Sequence, residues 1–152
     1  MSYEELLKEA HNEGLIVKEK PLVSRDGLIN GKRIAIRMNI PTLAQKACTL
    51  AEEIGHHKMT AGDILEQSSV SDQKQEYIAR LWSYNRMIGL QGIISGYKAN
   101  CQNRYELAEF LNVTEEFLQE ALDCYCSKYG AFAELDNYVI IFQPNLSVVE
   151  KL

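Results

Sequence analysis

The stretch Leu50-Ala51-Glu52-Glu53-Ile54-Gly55-His56-His57 carries the residue types and spacing for chemistry. At about 100° per residue, Glu52 and His56 fall within about 40° of each other on a helix, roughly opposite the apolar stripe Leu43, Ala47, Leu50 and Ile54. Two metal-capable side chains at i, i+4 grip one ion from a rigid rod, the geometry behind H-E-x-x-H zinc sites, with a glutamate standing where the first histidine would be. Glu53 flanks the pair, about 100° around the helix, placed to act on a water rather than on the ion. A catalytic zinc needs a third protein donor and one open position. Glu76 is the best candidate, because it lies opposite the apolar arc of the next helix, on the side of Arg80 and Ser83. Asp63 and Glu66 are weaker alternatives. The same residues also have a plain reading: a Glu/His pair at i, i+4 is commonly a solvated hydrogen-bonded pair. His57 is read as a C-terminal residue favourable to the helix dipole, and Trp82 as core.

The elements that must position these groups are legible in outline. Ser2 and Glu5 form a capping box that opens a helix with Tyr3, Leu6, Leu7 and Ala10 on one face, stopped at Gly14. Leu15-Ile16-Val17 is β-prone, Asn30-Gly31 marks a two-residue hairpin turn, and Ile34, Ile36, Met38 and Ile40 alternate with polar or small residues. A small antiparallel sheet is expected between residues 15 and 40. Thr42 and Gln45 cap a helix running to about Lys58. Residues 59–70 read as loop, with a helical turn at Asp63 to Gln67. A helix from Ser71 uses Tyr77, Ile78, Leu81, Trp82 and Ile88 as its buried side, ends at Gly89 to Gly92, and is followed by a brief helix with Ile93, Ile94 and Tyr97. Asn103 with Glu106, and then Thr114, open two helices joined at Asn112-Val113, a helix-turn-helix silhouette. Tyr138 to Phe142 is a strand, and the tail from Asn145 is expected to be loosely held. The fold class expected is α+β, a zincin-like small antiparallel sheet packed on helices. The domains expected are 1–98, and 99–152 as a helical extension with a final strand.

Composition narrows the function classes. A chain of 152 residues with net charge −5 is not built for long-range attraction to nucleic acid or to an anionic membrane. No apolar run reaches the roughly 18 residues of a membrane span, and the start MSYEELLKEA is acidic where a secretory signal is basic and then apolar. A cytoplasmic protein is expected. Cys48, Cys101, Cys124 and Cys126 read as reduced, mostly buried small hydrophobes, and the C-x-C pair points its thiols to different sides of a helix.

Residues 48–57, CTLAEEIGHH, resemble the TLAHELGHH-type helix of the ImmA/IrrE metallopeptidases, and residues 76–83, EYIARLWS, resemble the later E-x-E-A-N-x-F-A segment of that family. The preceding I-x-I-x-M strand agrees as well. The likeness covers about residues 3–95, and the remainder is similar to the C-terminal extension of phage and mobile-element members. The resemblance implies Glu53 as general base, His56 as a zinc ligand and Glu76 as the glutamate ligand. The chain departs from the family pattern at Glu52, where histidine is commonest, and at Ile78 and Arg80, which replace the Glu and Asn of the second motif. Two carboxylates and one imidazole make a harder shell, which brings in manganese as an alternative to zinc. The implied activity is metal-dependent endopeptidase cleavage of a helix-turn-helix repressor of a prophage or mobile element. The alternative is a pseudo-peptidase anti-repressor that acts by binding its partner. A third reading, DNA binding by the helix-turn-helix silhouette, is disfavoured because Arg104 and Lys128 are outnumbered by Glu106, Glu109, Glu115, Glu116, Glu120 and Asp123.

Overall fold

The computed structural model describes residues 1–60 and 72–152. The chain divides into two compact units, Met1–Ser83 and Tyr84–Leu152, and the division read from the sequence, at 98/99, falls inside the second of these. The class is α+β, as expected.

In the first unit, α1 (Tyr3–Asn12) begins at Ser2, whose Oγ accepts the Glu5 N–H at 3.1 Å. Leu6 and Ala10 are its fully buried residues. Gly14, at φ +79°, turns the chain into β1 (Ile16–Lys20). β2 (Gly27–Asn30) and β3 (Arg33–Arg37) form the expected antiparallel hairpin, with Asn30 opposite Arg33 and Gly31 at φ +61° in the turn.

The sheet is not wholly antiparallel. Its order is β1-β3-β2, and β1 runs parallel to β3. The reason is the connection 21–26, which begins at Pro21 and carries the chain back past β3 so that β2 forms on its far side. Asp26 anchors that connection: its carbonyl accepts the Arg37 N–H at 2.7 Å, and its Oδ1 accepts from Arg37 Nε at 2.8 Å. β3 also stops at Arg37 rather than continuing to Ile40; Ile40 is buried through a turn onto the Arg37 carbonyl, and Met38 is exposed. Ile34 and Ile36 point into the core, as the period-2 pattern requires.

Thr42 Oγ1 accepts the Gln45 N–H at 3.1 Å and opens α2 (Leu43–Thr60). Ala47, Leu50, Ala51 and Ile54 bury one stripe of it, whereas Leu43 is 68% exposed on the first turn. α3 (Asp72–Met87) differs from expectation in its buried side. Its buried residues are Ala79, Ser83, Tyr84 and Met87, while Tyr77 is 46% exposed and Ile78, Leu81 and Trp82 are half-buried. The cause is close backbone packing. A Cβ on Gly55 of α2 would meet the Ala79 carbonyl oxygen far inside contact distance, and would sit 3.2 Å from the Ala79 carbonyl carbon. Small residues therefore hold the contact line, and the bulky ones are displaced to its flanks. Ser83 tolerates full burial because its Oγ donates to the Arg80 carbonyl at 2.7 Å.

In the second unit, α4 (Gly89–Lys98) contains Gly92 within the helix rather than after a break. α5 (Arg104–Leu111) and α6 (Glu115–Tyr129) are capped by Asn103 and Thr114 as expected, with Asn112 in the left-handed region between them at φ +59°. The expected single strand is instead the centre of an antiparallel sheet, β4 (Phe132–Leu135), β5 (Tyr138–Ile141) and β6 (Ser147–Glu150) in that order. The tail is consequently held and not loose: the Asn137 carbonyl accepts the Lys151 N–H at 2.7 Å, and Lys151 Nζ meets Glu134 Oε2 at 3.1 Å. Tyr125, Leu118 and Ile140 are fully buried between these layers.

All four cysteines are free thiols; Cys48 is buried, and Cys101, Cys124 and Cys126 are half-buried. Among the described residues, no helix is long and apolar enough to cross a membrane.

Candidate active site

α2 and α3 bring two of the predicted side chains, His56 and Glu76, together in the first unit. His56 Nε2 lies 3.3 Å from Glu76 Oε2. The backbone contact one residue before His56 and three after Glu76, at Gly55 and Ala79, sets that separation. The second carboxylate oxygen of Glu76 accepts from Arg80 Nε at 3.3 Å, one turn further along α3. Arg80 thus orients the carboxylate that faces the imidazole, and both side chains stay open to solvent, with 29% of His56 and 47% of Glu76 exposed.

Glu53 is half-buried on the neighbouring face of α2. Its carboxyl is pushed up to about 7, first by burial, then by the charges of Glu52 and Glu76, with Arg25 opposing them. The carboxyl lies against β2: a Cβ built on Gly27 would come within 3.0 Å of Glu53 Oε1 and 2.8 Å of Thr49 Cγ2. Gly27 is therefore the residue that lets the outer strand of the sheet approach the acid. β2 is an edge strand, with β3 on one side only.

Glu52 sits half-buried one helical turn before His56, and its charge acts on Glu53. Among the described residues, no set of three His, Cys, Asp or Glu side chains gathers as a metal cluster, so His56 and Glu76 meet as a pair. Asp63 and Glu66, the weaker alternatives, lie outside the described residues. His57 turns elsewhere, with Nε2 3.6 Å from Glu13 Oε2, beside the Lys58–Glu13 ion pair. Trp82 lies under Lys58, whose Nζ is 6.0 Å from the ring centroid.

His56 and Glu76 supply two donors of the kind a metal ion takes, at a separation that a hydrogen-bonded ion pair also has. Two donors each about 2.0–2.1 Å from a zinc ion, at a tetrahedral angle, stand roughly 3.3 Å apart. That is the separation of His56 Nε2 and Glu76 Oε2. One imidazole and one carboxylate are donors that zinc and manganese both accept. Arg25, Gly27 and Ala79 are the contributors that sequence reasoning passed over. Arg25 and Gly27 lie in or beside a connection whose path is set by the parallel placement of β1, and Ala79 carries no signal beyond being small.

Against known families, the model of Peptidase M78, described as the IrrE N-terminal-like domain, matches residues 1–123. No curated protein and no solved structure matches the chain.

Proposed function

The chain belongs to the Peptidase M78 family, with its IrrE N-terminal-like domain, and from that premise we propose that it is a metal-dependent endopeptidase whose substrate is a helix-turn-helix repressor of a prophage or mobile element. The observation that carries the reading is the 3.3 Å approach of His56 to Glu76 beside a glutamate, Glu53, whose carboxyl sits at about 7. His56 and Glu76 would hold the ion, zinc or manganese, with Glu52 as the third donor from the same face of α2 as His56. When bound, the ion supplies polarisation of the scissile carbonyl and a more acidic water.

The remaining steps belong to the chain's own residues. Glu53 takes the proton of the attacking water and passes it to the departing amide nitrogen; a carboxyl that titrates near neutrality serves in both directions. Arg80 holds Glu76 in place through the oxygen that does not face His56. The outward edge of β2 offers backbone groups to an extended substrate, which would pair as an added strand and lie next to Gly27 and Glu53. The resemblance of residues 48–57 and 76–83 supports the repressor as substrate.

The test is cleavage of a candidate repressor by the purified chain, with elemental analysis of protein prepared without chelators. The reading expects about one ion per chain, lost in a Glu52→Ala/His56→Ala double variant, and cleavage lost in Glu53→Gln with the ion retained. A second reading, a pseudo-peptidase that acts by binding alone, is favoured by the pairing of His56 and Glu76 without a third gathered donor among the described residues. A metal-free chain that binds the repressor without cutting it would establish that reading instead.

A further inference from the structure

The second unit contains a cavity of about 730 Å³, walled by α4, α5, α6 and the connection from β5 to β6, which neither the peptidase reading nor the fold uses. Its volume lies in the range of small-ligand sites. Leu107, Leu122 and Phe142 supply apolar walls and are themselves buried. Arg104 and Asp123 also line it, one cation and one anion. Among the described residues Arg104 has no ion-pair partner.

Gln119 holds the anion of this pair in place, its Nε2 donating to Asp123 Oδ1 at 2.9 Å. The cavity thus asks for an anionic group, a cationic N–H group and an apolar body in one molecule. A nucleotide does not fit, since a single arginine faces it and Asp123 would repel a polyphosphate. A fatty acid does not fit either, since it brings no cation for Asp123.

We infer that this cavity binds a short peptide with free ends, its carboxylate on Arg104, its amino group on Asp123, and an apolar side chain against Leu107, Leu122 and Phe142. The assignment is read by binding alone and does not require hydrolysis at Glu53.

The experiment uses the full chain carrying Glu53→Gln, titrated with the dipeptide Ala-Leu and followed by calorimetry and amide chemical shifts. Saturable binding is expected, with shifts centred on Leu107, Leu122 and Phe142. Arg104→Ala and Asp123→Asn, whose folding is checked by circular dichroism, should each weaken it about tenfold, the usual worth of a charge-assisted hydrogen bond. N-acetyl-Ala-Leu-amide, with both ends blocked, should bind about tenfold more weakly still or not at all. The inference is overturned if Ala-Leu shows no saturation at about 10 mM. It is equally overturned if the blocked peptide binds as well, if Arg104→Ala has no effect, or if inorganic phosphate displaces Ala-Leu at equal concentration.

Discussion

Replacing Glu53 with glutamine should stabilise the protein and abolish hydrolysis together, and the stabilisation should depend on pH in a direction the structure fixes. The Glu53 carboxyl titrates at about 7 in the folded chain against an ordinary value of 4.5. Below about pH 4.5 it is protonated in both the folded and the unfolded chain and contributes nothing to the balance. Between about 4.5 and 7 the folded chain keeps a proton that the unfolded chain releases, so stability falls as pH rises through this window and stays reduced above it. The full gap is worth roughly 3 kcal/mol at about 1.4 kcal/mol per tenfold. Solvent reaches part of this half-buried carboxyl, which brings the expected value to about 1–3 kcal/mol. Glutamine has the same shape and does not titrate. Urea unfolding of chelator-treated Glu53→Gln and parent protein should therefore agree near pH 4.5 and diverge to about 1–3 kcal/mol in favour of Glu53→Gln at pH 8. A difference that is flat across this range, or a less stable Glu53→Gln at pH 8, would refute the burial and charge argument for the site.

Three further changes test the frame around it. Gly55→Ala drives a methyl into the Ala79 carbonyl; its better helix propensity returns about 1 kcal/mol, overpacking costs about 1–3, and the net should be a loss in thermal unfolding with a widened His56–Glu76 separation by crystallography. Gly27→Ala pushes on Glu53 Oε1 and Thr49 from the strand side, and should lower kcat/KM by about tenfold or more with little change in secondary structure by circular dichroism. Tyr125→Phe removes the hydroxyl that donates to Asn85 Oδ1 at 2.9 Å and accepts the Gly89 N–H at 3.2 Å; denaturant unfolding should report a loss of about 1–3 kcal/mol.

What could be read from the sequence was local. The caps at Ser2, Thr42, Asn103 and Thr114 are short-range hydrogen bonds, and each formed where residue types predicted it, the first three from pairs three apart and Thr114 from its own hydroxyl. The shared face of Glu52 and His56 follows from helical periodicity, whereas the side of α3 that carries Glu76 was reached from an apolar arc the structure does not fully bury. What escaped was non-local. β4 and β6 are four-residue strands whose identity comes from pairing with β5, and the parallel run of β1 along β3 depends on how the connection at 21–26 travels. The buried side of α3 was misassigned because large apolar residues were taken as the core signal, whereas the contact with α2 runs through Gly55 and Ala79. The direction and cause of the Glu53 titration were likewise beyond reach, since Arg25, Gly27 and Glu76 act on it from other elements.

Two rods whose nearest approach is main chain to main chain, at Gly55 and the Ala79 carbonyl, leave little torsional slack there to take up error. The spacing between the imidazole and its carboxylate is then a property of the rods themselves. Position 55 admits no side chain unless the Ala79 carbonyl moves, so a saturation library over both rods should find its least tolerant point there.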